Sequence, residues 1–208
     1  AYGVELKDHC YAVTVYDFEL QKLLTLQAAE MEFSYRHSVL KVHPGRFLVV
    51  SVTFVLSTEP MPRTNYGVIR DRIEQAGGDL NSPHDIAQAV IAIRREKLPD
   101  PDQIANVGSF FQNPVVRRPV AERLLQKFPN LPTYINDKHG NEIKLAAGWM
   151  IDYLGLRGKR EGGFIVHPQH ALVLVNQGQG TVTDLRKLVS LIHSQIEEVF
   201  GLSLQIEP

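Results

Sequence analysis

The first half of the chain is patterned with a period of two. Residues 46–56, RFLVVSVTFVL, are β-branched or aromatic almost throughout and read as a strand. Residues 11–16, YAVTVY, alternate in the same way, and residues 22–26, KLLTL, follow a turn at Asp17, Phe18 and Glu19. Residues 28–31, AAEM, give one helical turn at most. Residues 57–79 are polar and carry Pro60, Pro62, Gly67, Gly77 and Gly78, which reads as a long connection without structure of its own. The period then lengthens to that of a helix. Ser82 is placed to cap it, Pro83 to open it, and Ile86, Ala89, Val90 and Ile93 form its apolar stripe. Pro99 and Pro101 stop it near Lys97.

Further helices are expected over 119–128, with Val120, Leu124, Leu125 and Phe128 inward, and over 146–154, ended by Gly155. Another starts at Thr183, with the stripe Leu185, Leu188, Val189, Ile192, Ile196 and Val199, and ends at Gly201. Residues 170–176 read as a buried strand and 202–206 as a closing one. Strands and helices in this mixture give an α+β chain, with a boundary expected at the proline turn. There is no internal repeat and no low-complexity segment.

Composition changes this picture little. Of 208 residues, 44% are hydrophobic and 22% charged, enough for a sizeable core. A formal net charge of -1 gives no bulk attraction for nucleic acid or a membrane, so an anionic ligand must be met by local basic groups. The single cysteine, Cys10, forms no disulfide within the chain and fits a reducing compartment. No apolar run approaches the length of a membrane span. Both ends read as mid-domain sequence, and a piece of a longer protein is expected.

Candidate chemistry concentrates in residues 106–114, NVGSFFQNP. Ser109 lacks the G-x-S-x-G setting of a nucleophile elbow, since Phe111 stands where the second glycine belongs. Two readings remain: a loop hydroxyl bonded to its own backbone, or a proton donor to a strong base formed nearby. Arg36, in the loop 34–38, is either a solvated charge or a ligand cation; Lys97 and Lys144 each flank a turn or an element end. Tyr66 in the polar stretch is a plug for the loop or a contact to ligand. Eight histidines show no metal-ligand spacing, and His167 and His170 are expected to face opposite sides of a strand. Gly162 and Gly163 read as a flexible bend, and no dinucleotide or Walker motif occurs.

Six segments in one order, FSYRHS (33–38), EKLPDP (96–101), NVGSFFQNP (106–114), KLAAGWMID (144–152), VHPQHALVLVN (166–176) and LQIEP (204–208), resemble the UDP-N-acetylenolpyruvoylglucosamine reductase family. The resemblance covers essentially the whole chain and points to the subclass with a substrate-covering tyrosine loop. It implies a cytoplasmic flavoprotein of peptidoglycan synthesis that uses FAD and NADPH to reduce UDP-N-acetylglucosamine enolpyruvate to UDP-N-acetylmuramate. A monomer with a small-molecule substrate, and no nucleic-acid or membrane partner, is implied as well.

By the same resemblance, residues 1–98 form the C-terminal half of a second FAD-binding domain, 99–200 a substrate-binding domain, and 201–208 a return strand. Ser109 matches the family's proton donor and Arg36 the arginine that meets the enolpyruvyl carboxylate. Tyr66, Lys97 and Asn113 match positions that hold the diphosphate, and Lys144 lines the same cleft. His170 stands where relatives often carry glutamine. Phe110 and Phe111 either fix the loop and exclude water or are plain core residues. Glu207 matches the first acid of an E-P-E pattern, not the catalytic second one. Without that acid and the flavin-binding part the chain is expected to be inactive. The alternative is a non-catalytic nucleotide-sugar binding module.

Overall fold

The computed structural model describes residues 4–59, 61–64, 68–137 and 139–207. The chain is α+β and divides into two units, Ala1–Arg94 and Arg95–Pro208, each taken by itself below. Tyr66 lies outside the described residues.

The first unit begins with an antiparallel sheet of strands β1 (Cys10–Asp17), β2 (Lys22–Gln27) and β3 (Phe47–Phe54), in the order β2-β1-β3. The alternation of β1 buries Val13 and Val15 against Met31, with Leu24, Leu26 and Phe47 around them. The β1–β2 turn is built on Asp17. One of its carboxylate oxygens accepts the Glu19 and Leu20 N–H groups at 2.9 and 3.1 Å. The other accepts Nε and Nη2 of Arg46 at 3.0 and 2.8 Å. This carboxylate is fully buried, so two guanidinium N–H groups on one oxygen and two backbone donors on the other satisfy a charge that would otherwise be costly to bury. β3 lies at the sheet edge and is exposed on both faces: Leu48, Val49 and Val50 are 55%, 44% and 55% exposed. Between β2 and β3 lies the single turn α1 (Val39–Val42).

Part of the polar stretch is a helix, α2 (Ile69–Gln75), where a structureless connection was expected. Ile69 and Ile73, four apart, share one face and pack on Ala89 and Ile93 of α3 (Pro83–Lys97). Gly77, at φ +68°, follows α2 in the left-handed conformation. The expected cap of α3 is present: the Ser82 hydroxyl accepts the Asp85 N–H at 3.2 Å. The division between the units falls within the last turn of α3.

The second unit contains β4 (Asn106–Ser109), β5 (Val115–Arg117), α4 (Arg118–Lys127), β6 (Thr133–Ile135), β7 (Glu142–Leu145) and α5 (Ala147–Tyr153). After these come β8 (Arg160–Glu161), β9 (Phe164–Val166), β10 (Val173–Asn176) and α6 (Val182–Phe200). The strands form a four-stranded sheet, β4-β10-β9-β8, and a three-stranded one, β5-β7-β6. One core joins them, with Leu145, Met150, Ile151, Leu188, Ile192 and Ile196 fully enclosed.

Three expectations shift here. The α6 cap is Thr181, not Thr183; Thr181 and Asp184 bond reciprocally in a capping box. The last inward residue of α6 is Phe200, while Val199 is 38% exposed. Residues 202–206 form no continuous strand; Ile206 makes an isolated bridge to Phe111. The Gly162–Gly163 pair is also more than a bend. A side chain on Gly163 would run into the Gly180 backbone, so glycine is needed for close approach.

Candidate functional site

Ser109 owes its position to an irregular strand. Asn106 binds its own neighbourhood: its side-chain oxygen accepts the Gly108 N–H at 2.9 Å and its amide donates to the Ile104 carbonyl at 2.7 Å. The β4–β10 ladder pairs Val175 with Asn106 and Val173 with Ser109, and is irregular between them. Gly108 falls in that interval at φ +76°, a conformation a side-chain-bearing residue adopts only under strain. A Cβ there would touch nothing, so the backbone angle, not space, requires glycine. The irregularity re-aims the next side chain, as bulges commonly do near functional sites. Ser109 is half-buried, and among the described residues its hydroxyl has no hydrogen-bond partner.

The two aromatic residues that follow are core residues. Phe110 and Phe111 are 7% and 1% exposed, and their rings meet edge-on at 5.2 Å. They anchor the segment that carries Ser109. The Phe110 N–H donates to the Leu172 carbonyl at 2.7 Å, and its carbonyl accepts the Glu207 N–H at 2.9 Å. The Gln112 N–H donates to the Gln205 carbonyl at 2.8 Å. Residues 205–207 are therefore clasped beside Ser109 by backbone bonds.

Asn113 closes this loop onto α5. Its side-chain oxygen accepts the Ala147 N–H at 2.9 Å, while the Leu145 N–H donates to the Pro114 carbonyl. Ala146, at the cap position of α5, has no side-chain acceptor, so Asn113 supplies one from a distant part of the chain. Lys144 lies next to this junction on β7, paired with Val115, and its ammonium sits 6.0 Å from the Tyr134 ring centre.

His170 is in the β9–β10 turn, whose backbone continues into the Leu172 and Val173 partners of Phe110 and Ser109. Its ring is stacked on that of His167, with centres 5.0 Å apart and planes 17° apart. The two histidines thus share one side, against the expectation that they face opposite sides. Both precede β10, so the alternation of a strand does not apply to them. Burial, then the positive charges of His167, Arg157 and Lys97, hold the His170 pKa below the ordinary histidine value. Lys97 and His170 are therefore within electrostatic reach of each other. His167 and Arg157 are additions that sequence reasoning missed. The signal was an H-x-x-H spacing interrupted by Pro168, which favours a turn over a strand.

Arg36 belongs to the first unit. It occupies a tight turn in which the Ser34 and His37 backbones exchange two bonds of 3.2 Å. Its φ is +56°, and its guanidinium lies 5.4 Å from the Tyr35 ring centre. A cavity of about 460 Å³ in the same unit is lined by Met61, Ile69, Pro83, Ile86 and Val90, with none of the expected site residues. Among the described residues, no three His, Cys, Asp or Glu side chains gather as a metal site. The starts of α3, α5 and α6 are capped by Ser82, Asn113 and the Thr181–Asp184 pair. Among the described residues, no helix is long and apolar enough to cross a membrane.

Residues 100–208 match the profile described as the C-terminal domain of UDP-N-acetylenolpyruvoylglucosamine reductase. Proteins of that name from Chromobacterium violaceum and Pseudomonas putida are 44% and 40% identical over the whole of this chain. The chain spans 61% of the length of each. The crystal structure of UDP-N-acetylenolpyruvylglucosamine reductase from Thermus caldophilus has the same fold with a TM-score of 0.56. It is 22% identical, and the match covers 97% of this chain and 52% of that one. With the profile covering more than half of the residues, the chain belongs to the UDP-N-acetylenolpyruvoylglucosamine reductase family and carries its C-terminal domain.

Proposed function

We propose that this chain is the substrate-handling part of a longer, cytoplasmic, monomeric reductase of peptidoglycan synthesis. The reaction converts UDP-N-acetylglucosamine enolpyruvate to UDP-N-acetylmuramate with FAD and NADPH. Membership of the family supports the reading, and the observation that carries it is the Ser109 hydroxyl, half-buried and without a partner among the described residues, on an irregular strand. In this assignment residues 1–98 complete a flavin-binding domain, 99–200 bind substrate, and 201–208 return toward the flavin side.

Reducing the enolpyruvyl double bond leaves negative charge on the carbon bearing the carboxylate, and that carbon must take a proton. Ser109 donates it from its hydroxyl. A small side chain suits approach to a substituted carbon, and the Phe110–Phe111 anchor holds it in place. Arg36 pairs with the carboxylate and stabilises charge spreading into it, the logic of an oxyanion hole. Lys97, Asn113 and His170 meet the diphosphate, Lys144 lines the same cleft, and Tyr66 covers it.

The test uses the chain joined to its flanking gene sequence. The product should be yellow and should oxidise NADPH when the enolpyruvyl substrate is present. Ser109→Ala should leave flavin reduction by NADPH intact and slow reoxidation by substrate by about 10²–10⁴-fold, the usual contribution of a positioned proton donor. Reoxidation at the native rate overturns the assignment of Ser109. A colourless protein that still binds UDP-N-acetylglucosamine would indicate a binding module instead.

A further inference from the structure

The turn between β9 and β10 places two imidazoles face to face in surroundings that already hold two fixed cations. His167 and His170 stack at 5.0 Å with planes 17° apart. Nδ1 of His167 accepts the Gln169 N–H at 3.2 Å, so the neutral ring carries its proton on Nε2. The turn is rigid: His167 N–H donates to the Val173 carbonyl at 2.8 Å, and Val173 N–H donates to the His170 carbonyl at 2.9 Å. The surrounding elements add Arg157, after α5, and Lys97, at the end of α3. Asp152 accepts from Arg157 at 2.8 Å. Two rings this close, beside further positive charge, cannot both be charged cheaply.

We propose that His170, held by its stack on His167, takes up a proton when the diphosphate of a nucleotide sugar settles against it. His167 is the positioning residue and His170 the ring that meets the phosphates. The inference rests on the diphosphate assignment made above for Lys97 and His170, and adds to it a second residue and a proton. Without ligand, burial and then the nearby positive charges keep His170 short of protons. A bound dianion reverses the local field, raises the affinity of His170 for a proton and converts a neutral acceptor into a charged donor. Affinity for the diphosphate is therefore highest where the ligand-bound His170 is protonated, and falls as pH rises through its bound-state midpoint.

UDP-N-acetylglucosamine is the appropriate probe, because a diphosphate esterified at both ends lacks the terminal phosphate ionisation near pH ~6 that would confuse the result. Calorimetric titration of the chain in two buffers of unlike ionisation heat measures protons taken up per bound probe. The native chain should take up a fraction of a proton, and its affinity should fall roughly tenfold between pH ~6 and ~8, one pKa unit of linkage. His170→Gln should bind with no proton uptake and a flat profile, and His167→Gln should reduce the uptake. In the chain without probe, the His170 imidazole resonance should titrate at higher pH in His167→Gln than in the native chain. Native binding without proton uptake, or a His170 midpoint indifferent to His167→Gln, overturns the pair and leaves the nucleotide-sugar reading standing. Absence of any binding overturns both.

Discussion

Asn113 and Ala147, 34 positions apart, are joined by a 2.9 Å hydrogen bond in which the asparagine side chain caps a helix it does not belong to. The bond ties the segment carrying Ser109 to the start of α5. Asn113→Ala removes a cap and should lower the unfolding free energy by about 0.5–2 kcal/mol in urea titration. Asn113→Asp keeps the acceptor and places a negative charge at a helix start, so it should fall within about 0.5 kcal/mol of the native chain.

Gly108 should tolerate no side chain. Its φ of +76° costs an L-residue about 1–2 kcal/mol, and nothing nearby compensates. Gly108→Ala should be destabilised by about that amount in denaturant titration. Alternatively the strand straightens, and then Ser109 loses its placement. Amide exchange at Phe110, whose N–H is bonded to Leu172, distinguishes the two, because only straightening exposes it.

Asp17 gives the first unit its acid sensitivity. The hydrogen bond from Arg46 holds its carboxyl below the ordinary carboxylate range, against an opposing effect of burial, with the Leu20 and Glu19 N–H groups adding to the lowering. A depressed folded-state pKa contributes stability that is present above the unfolded value and lost as pH falls through the folded one. The urea midpoint should therefore decline between neutral pH and strong acid, and Asp17→Asn should lower the midpoint at neutral pH and flatten the decline.

His193 should be improvable. Its Nε2 is buried without a hydrogen-bond partner among the described residues, and its ring lies 5.5 Å from that of Phe111. His193→Phe removes the orphaned nitrogen and keeps a ring against Phe111. The unfolding free energy should rise by about 1 kcal/mol, at the low end of what an unsatisfied buried polar group costs.

The regular parts of the fold were legible where one period runs uninterrupted. β1, β3, α3 and α6 follow directly from spacings of two or of three and four. α2 was hidden because its seven residues follow prolines and precede two glycines, so local composition masked the Ile69–Ile73 pair. The Thr181 cap was misplaced by two residues because Thr183 offers the same hydroxyl, and only the reciprocal bond from Asp184 distinguishes them. At the candidate site, motif order pointed to Ser109, Asn113 and His170 as expectations. What no pattern carried was the stacking of His167 on His170, a product of the turn closed between His167 and Val173.

Strand β3 has a practical consequence. A row of amide and carbonyl groups without a neighbour on one side, flanked by bare leucine and valine, templates the addition of another strand. Among the described residues nothing pairs with that margin, so the separate chain is prone to associate along it, unlike the longer monomeric reductase proposed above. A lysine in place of Val50 is the conservative gatekeeper, because a charge on that margin makes each new arrival pay to desolvate it.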